Sequence, residues 1–530
     1  MVSATIQHVL EGYRAAAVGK RDETEVLIHV DEIASKIAKF YEQVRKVVDY
    51  REEHLLRKNS IVRALRRHVL LKKEEPKNEI AESLVKEIIR AGHLPNDTIP
   101  ERKIKDVEEI ISSLLFLLDR LQRAVLEAEE RFNRREWLIR MVASAIEETL
   151  DPPYRDRLIA EAMFFAYKDR LVVKGRDLPD QTRLIQLFIA IERALLRVDE
   201  DQLSWRLSRF LWGNWLGAGA EALQETAKKL PAMQRELEAY GAHELAPHFF
   251  RFCNRYNTVF LLLGDAIFNA RNYLQDPEEL FRNEVSLETV IGEVYRKRYE
   301  QQKRKLRRFA FFTVISLFIS KVLVALLIEI PIDVYVTRGF SFTHAAANIA
   351  FPPFLMLLIL GFIRMPSKKN LERVQEEVRA VAFADTQKEY LLVIPQERKG
   401  LAQRIARGGY WVVSLAVLWG LLKLLWSLGF SMASIVVFVL FTSIVAATGL
   451  RVHNRSREIS LEEGKPTFKA FLVDLFFMPL VSLGQWVISG MRKLAFLVVA
   501  MNMIEAPFQV FIGFIENFNA FIKRKKDELY

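Results

Sequence analysis

The chain has 530 residues, 51% of them hydrophobic and 27% charged, with a formal net charge of +11. That length exceeds one domain and fits two or three. The basic excess is confined to one half: residues 1–300 hold 48 Lys and Arg against 50 Asp and Glu, and residues 301–530 hold the other 29 against 16. A nucleic-acid binder would carry its basic stripe on a soluble face, whereas here the basic residues flank apolar runs, so no nucleic-acid partner is expected. The lone cysteine, Cys253, rules out an intramolecular disulfide framework and any multi-cysteine metal site. It lies among Phe249, Phe250 and Phe252 and reads as a small core residue.

In chain order, Val30, Ile33, Ile37, Phe40, Val44 and Val47 recur at helical spacing, which predicts one long helix from Thr24 to about Leu71. A short helix over 79–91 closes at Gly92, and Leu94–Pro100 reads as a loop with two prolines. Ile104, Val107, Ile111, Leu114, Leu118, Leu121 and Val125 keep a heptad pattern. Ile110, Leu115 and Leu117 widen that stripe, which suits an intramolecular bundle better than a two-stranded coiled coil, with a self-association seam as the alternative. Asp151-Pro152-Pro153 is the expected domain boundary, dividing a bundle over 1–150 from a second helical region over 151–302. The second region reads as five or six helices broken near Gly175–Pro179, Gly213–Gly219, Pro231 and Gly241–Pro247, without strand-like alternation of useful length. Asp276-Pro277 is the expected cap and first-turn proline of a helix running into the membrane domain.

Residues 303–530 read as that domain. A basic cluster at 303–308 leads into the apolar run 309–330, and runs at 345–363, 410–430 and 431–450 follow, each about the 20 residues needed to cross a bilayer. A charged, mostly helical insert covers 364–409. Residues 470–490 and 494–515 are apolar but interrupted by Asp474, Pro479, Asn502, Glu505 and Pro507, so they are either two further spans or interfacial helices. Basic residues crowd 303–308, 364–407, 451–469 and 523–526, which puts both termini on the cytoplasmic side of the cell membrane by the positive-inside rule. The first 21 residues lack a basic-then-apolar leader pattern, so residues 1–300 are expected to remain in the cytoplasm. The expected fold class is therefore all-α: a polytopic helical membrane protein with a large N-terminal cytoplasmic bundle.

Catalytic signatures are missing. The sequence has no phosphate loop, nucleophile elbow or H-E-x-x-H motif. His243 and His248 are five residues apart, which splays them on a helix, and Pro247 interrupts it. No catalytic residue, metal site or cofactor is expected. The informative residues are the charges within apolar runs, Lys321, Glu329, Lys423, Asp474 and Glu505, because a charge at bilayer depth costs about 2.5–3.5 kcal/mol or more. They divide between a structural role, snorkelling or paired, and a proton, ion or substrate path. Glu329 and Asp333, flanking Pro331, are the expected partners of the lysines. Trp205, Phe210, Trp212 and Trp215 read as bundle core and loop anchor, or as a contact surface. Lys523, Arg524, Lys525 and Lys526 beside Phe518 and Phe521 suit an anionic lipid surface. The expected function is a non-enzymatic membrane scaffold whose cytoplasmic helices bind partners or self-associate; the alternative is a small transporter or channel using the intramembrane charges.

Overall fold

The computed structural model describes residues 2–18, 25–30, 53–71, 76–124, 127–217, 219–268, 277–336, 341–362, 368–383, 388–394, 401–456, 460–461 and 468–492. Among these residues the protein is all-α, with sixteen α-helices and one two-stranded sheet. It divides into two compact units, one drawn from 1–268 and 381–394, the other from 269–380 and 395–500.

The first unit opens with α1 (Ala4–Val18). Residues 25–30 then run extended against 96–101, with Ile28 N donating to Ile99 O at 2.9 Å and the Asn96 side chain bonding both backbone groups of Val30. This corrects the helix expected from Thr24: Val26, Leu27, Ile28 and Val30 suit a pleated surface, and Asn96 supplies the pairing. The part of that expected helix over 31–52 lies outside the described residues. Helices α2 (Glu53–Leu71), α3 (Lys77–Arg90), α4 (Arg102–Arg123) and α5 (Ala128–Leu150) form a bundle. Gly92 ends α3 with φ +75°, a left-handed conformation natural to glycine. The heptad face of α4 is consumed inside this bundle, with Val107, Ile111 and Leu114 fully buried in a core shared with α2, α3 and α5.

Two adjacent basic residues on α2 fasten the bundle. Arg57 donates to Glu147 at 2.7 Å and pairs with Asp151 at 2.6 Å. Lys58, buried, reaches Asp199 and Asp201 (2.7 Å to the latter) at the start of α8 (Glu200–Trp212), where Asp199 caps the helix by accepting from Gln202 N. The prolines at 152–153 end α5 and start α6 (Tyr154–Tyr167), but the core does not stop there: Trp205, Trp215 and Leu223 belong to the same apolar cluster as Leu150. After α6 come β1 (Leu171–Lys174), α7 (Asp180–Ile191), α8, α9 (Ala220–Gly241) and α10 (Ala246–Phe268). The breaks at 175–179, 213–219 and 241–247 appear where expected, whereas Pro231 lies inside α9 without ending it. Ala227, whose carbonyl loses its helical donor to Pro231, is itself only partly buried.

β1 is a second correction. It pairs in parallel with β2 (Tyr390–Val393), and Tyr390 packs its ring against Tyr167 (4.8 Å between centroids), Tyr256 (5.3 Å) and Phe252 (6.2 Å). Four-residue strands are too short to show alternation, and the partner lies far along the chain. Gly175, φ +98°, lets the backbone pass Ile394 O, which a Cβ would meet at 2.3 Å.

In the second unit, a 3-10 turn over Pro277–Phe281 precedes α11 (Glu284–Val324), whose N-cap is Asn283, accepting from Val285 N at 3.1 Å. Asp276, the expected cap, lies outside the described residues, and Pro277 belongs to the separate turn rather than to this helix. At 41 residues α11 is about 60 Å long and carries the chain unbroken from charged to apolar sequence. Its charged part packs antiparallel on α13 (Lys368–Ala382): Gln375 donates to Glu288 O at 2.9 Å, and buried Asn370 donates to Tyr295 Oη at 3.0 Å and accepts from Leu461 N at 2.8 Å. Among the described residues four helices are long and apolar enough to cross a membrane: α11 with its continuation to Tyr335, α12 (Phe342–Phe362), α14 (Leu401–Ser427) and α15 (Met432–Ser456). The fifth, α16 (Phe468–Arg492), lies along α15 and α14, and Gly484 meets Ser443 so closely that a Cβ would stand 2.0 Å from its carbonyl oxygen. The expected segment 494–515 lies outside the described residues.

Burial of Glu147 generates a pH prediction. Desolvation outweighs the attraction of Arg57 and raises its carboxyl from the usual 4.5 to about 7. A group whose folded-state value is raised contributes stability below the unfolded value and loses it as pH climbs through the folded one, here between 4.5 and 7. That loss is on the order of 3 kcal/mol. The stability difference between the wild type and Glu147→Gln, followed by thermal unfolding, is expected to shift in favour of the variant across this window, with Asp151 still holding Arg57.

Candidate functional site

The charges expected within the apolar helices do meet. Beyond Val324 the α-helix of α11 widens into a π-helical turn over Ala325–Glu329, passes Pro331, and widens again over Ile332–Val336. Pro331 cannot donate to the ladder and crowds the carbonyl four residues back, so the turn before it opens. The widening has a consequence for side-chain direction. In a regular helix Lys321 and Glu329, eight residues apart, would point about 80° from each other. Each residue of a wider turn advances by less, which brings Glu329 round toward the face of Lys321.

The result is a buried polar cluster. Lys321 Nζ donates to Glu329 Oε1, and the pair is fully enclosed, with side-chain exposures of 0% and 2%. Asn348 on α12 donates through Nδ2 to Glu329 Oε2 at 2.8 Å and to Ser434 O on α15 at 3.3 Å. Ser434 Oγ donates in turn to Asp333 Oδ2 at 3.2 Å. The Lys321 ammonium lies 5.1 Å from the centroid of the Phe441 ring, within cation–π range. Glu329 pairs with the ammonium while Asp333 accepts from Ser434, and three apolar helices are tied together by hydrogen bonds to charged groups, stronger than neutral ones. Asn348 Oδ1 is buried without a hydrogen-bond partner.

Lys423 stays apart. It is exposed on α14, with its ammonium 5.0 Å from the Trp419 ring one turn away. Glu505 and the basic tail Lys523, Arg524, Lys525 and Lys526 lie outside the described residues. Asn348 and Ser434 were missed from the sequence. Asn348 could have been found, since it is the single polar side chain in the run 345–363, whereas Ser434 has nothing to separate it from the other hydroxyls of its helix. The aromatic set divides: Trp205 and Trp215 are core residues bonded to Glu148 and Ser208, while Phe210 and Trp212 are exposed. Cys253 is buried, and desolvation pushes its thiol well up. Among the described residues no group of three or more His, Cys, Asp or Glu could hold a metal.

The paired charges predict a non-additive stability cycle. Removing one partner strands a buried charge at a cost of about 3–5 kcal/mol, whereas removing both is close to neutral. Lys321→Met and Glu329→Gln are each expected to lower the thermal midpoint in detergent strongly, and the double variant to recover most of that loss. No known protein family matches the chain, and no curated protein or solved structure is similar to it.

Proposed function

We propose that this is an integral membrane protein whose apolar helices anchor a large cytoplasmic helical unit, and that this unit serves as a docking scaffold without catalysis of its own. The observation that carries the reading is the closure of the polar cluster: Lys321 and Glu329 satisfy each other inside the helix bundle, as charges do in an anchor. The apolar helices also expose Phe311, Phe318, Leu327, Phe354, Trp411, Trp419 and Val436, a surface that lipid would cover and water would not. Residues 1–268 and 381–394 form one compact unit. The chain between them, which includes α11 and α12, therefore leaves that unit and returns to it, as a membrane hairpin with both ends in the cytoplasm would. The basic segments flanking the apolar helices support the same side, and the 523–526 tail suits anionic lipid there at about 1 kcal/mol per charge.

A second reading, a transporter or channel, is favoured by the buried Asp333 carboxylate close to Glu329 and the unpartnered Asn348 oxygen. The two readings separate in proteoliposomes. A scaffold gives no proton or cation flux above empty vesicles, and its cross-linked partners or self-association persist in the Lys321→Met/Glu329→Gln double variant but are lost when residues 1–300 are removed. Flux that disappears in Glu329→Gln, or partner capture that survives the deletion, would overturn the scaffold.

Membrane topology has its own test. In a Cys253→Ser background on intact cells, Ser341→Cys is expected to react with an impermeant thiol reagent and Asn454→Cys to stay protected. The reverse pattern would place the helical unit outside.

A further inference from the structure

The first unit holds an open cavity of about 530 Å³, formed where α6, α7 and α8 meet α1. That volume lies within the range of small-molecule sites. One wall is aromatic. Phe188 and Phe210 stack with centroids 4.4 Å apart, and Phe164 meets Phe210 edge-on at 5.7 Å. Phe165, 41% exposed, packs edge-to-face on His8 at 5.2 Å, and Phe210 is 42% exposed, so large ring faces look into open space.

The other wall carries Arg157, Arg206 and Arg209, and these three are not equivalent. Arg206 is locked: it bonds Glu148 and, at 2.7 Å, Glu192, and both carboxylates are buried with it. Those bonds make Arg206 part of the fold. Arg209 lies 5.5 Å over the Trp205 ring and has one 3.5 Å ionic contact, to Glu148, whose oxygens already accept from Arg206 and from Trp205 Nε1 at 3.1 Å. Arg157 has a 3.7 Å contact to Glu161, which is held by His8 at 3.1 Å, and feels the charge of Glu192, which Arg206 already bonds. Burial first, and then the positive charge of Arg157, hold the Arg209 guanidinium below its ordinary value. Glu148, Glu161 and Glu192 also line the cavity, but each is already engaged by Arg206 or His8, so Arg157 and Arg209 stand beside exposed rings as its two loosely held guanidiniums.

We propose that this cavity binds a small organic anion with an aromatic body, its carboxylate or phosphate taken between Arg157 and Arg209 and its ring against Phe210 and Phe164. A planar guanidinium fork matches either oxyanion, and the ring wall supplies the apolar contact that an inorganic ion could not use. The site makes the helical unit a receptor, and it stands whether or not the apolar helices conduct.

Isothermal titration of the full chain in lipid nanodiscs, with empty nanodiscs subtracted, tests the assignment using phenyl phosphate, phenylacetate, inorganic phosphate and benzyl alcohol. Phenyl phosphate or phenylacetate is expected to bind at least about tenfold tighter than inorganic phosphate, which lacks the ring, and than benzyl alcohol, which lacks the charge, since ring burial and a charge-assisted hydrogen bond each supply about such a factor. Whichever of the two aromatic anions binds tighter identifies the oxyanion. Arg157→Gln and Arg209→Gln should each weaken that binding about tenfold. Phe210→Ala should weaken the aromatic anion and leave inorganic phosphate unchanged, and Arg251→Gln, on α10 outside the cavity lining, should change nothing. Absence of binding by both aromatic anions, equal binding of benzyl alcohol, or wild-type affinity in both arginine variants would overturn the proposal. Because Arg157 is half exposed and Arg209 one-third exposed, these variants keep the fold, which circular dichroism verifies.

Discussion

A charge enclosed by apolar helices must find its counter-charge within reach, and the Lys321–Glu329 pair shows what that demand does to a backbone. The two residues share one helix yet would diverge in regular α geometry, and the π-helical turn ahead of Pro331 brings them into line. Once aligned, the pair offers a second carboxylate oxygen, and Asn348 takes it from α12 while reaching the backbone of α15. Apolar side chains alone would let these helices slide or rotate with little penalty. A directional bond between charged and amide groups in a low-dielectric interior does not permit that. The close Gly484–Ser443 approach complements it by fixing α16 through contact distance rather than charge.

How much of this was legible varied with the physics. Runs of apolar residues declare helices of membrane length because the signal is local and long, and all four such helices stand where the hydropathy put them. Lys321 and Glu329 stood out for the same reason, as charges against a uniform background. Their pairing was anticipated only as a general expectation, since the turn that aligns them depends on Pro331 acting through three-dimensional geometry. The strands at 171–174 and 390–393 were illegible: four residues give no period, and pairing across such sequence distance leaves no local trace. Residues 25–30 misled because Val30 fits a helical stripe as readily as an extended one, and Asn96, which decides between them, lies far along the chain.

The cavity was hidden for a related reason. His8, Arg157, Phe188 and Arg209 come from four helices, and nothing in their spacing sets them apart from the many other arginines and phenylalanines of the chain. Only the ranking of partners does so. Arg206 absorbs both buried carboxylates and leaves its neighbour Arg209 poorly matched, although the two lie three residues apart on the same helix. The aromatic cluster read from the sequence was one group of four; in the fold it splits by helical phase, so that Trp205 turns inward and Phe210 outward.

The seam between β1 and β2 bears on the order of events during synthesis. Tyr390 fills the ring cluster of Tyr167, Phe252 and Tyr256, yet it emerges from the ribosome only after α11 and α12 have been made. The N-terminal helices can collapse early, but their aromatic pocket stays open until the apolar hairpin has been laid down and the chain has come back. Completion of the helical unit is therefore gated by successful placement of that hairpin. A chain whose apolar hairpin fails to form would carry an unfinished N-terminal unit, its ring pocket left uncovered far from the fault that caused it.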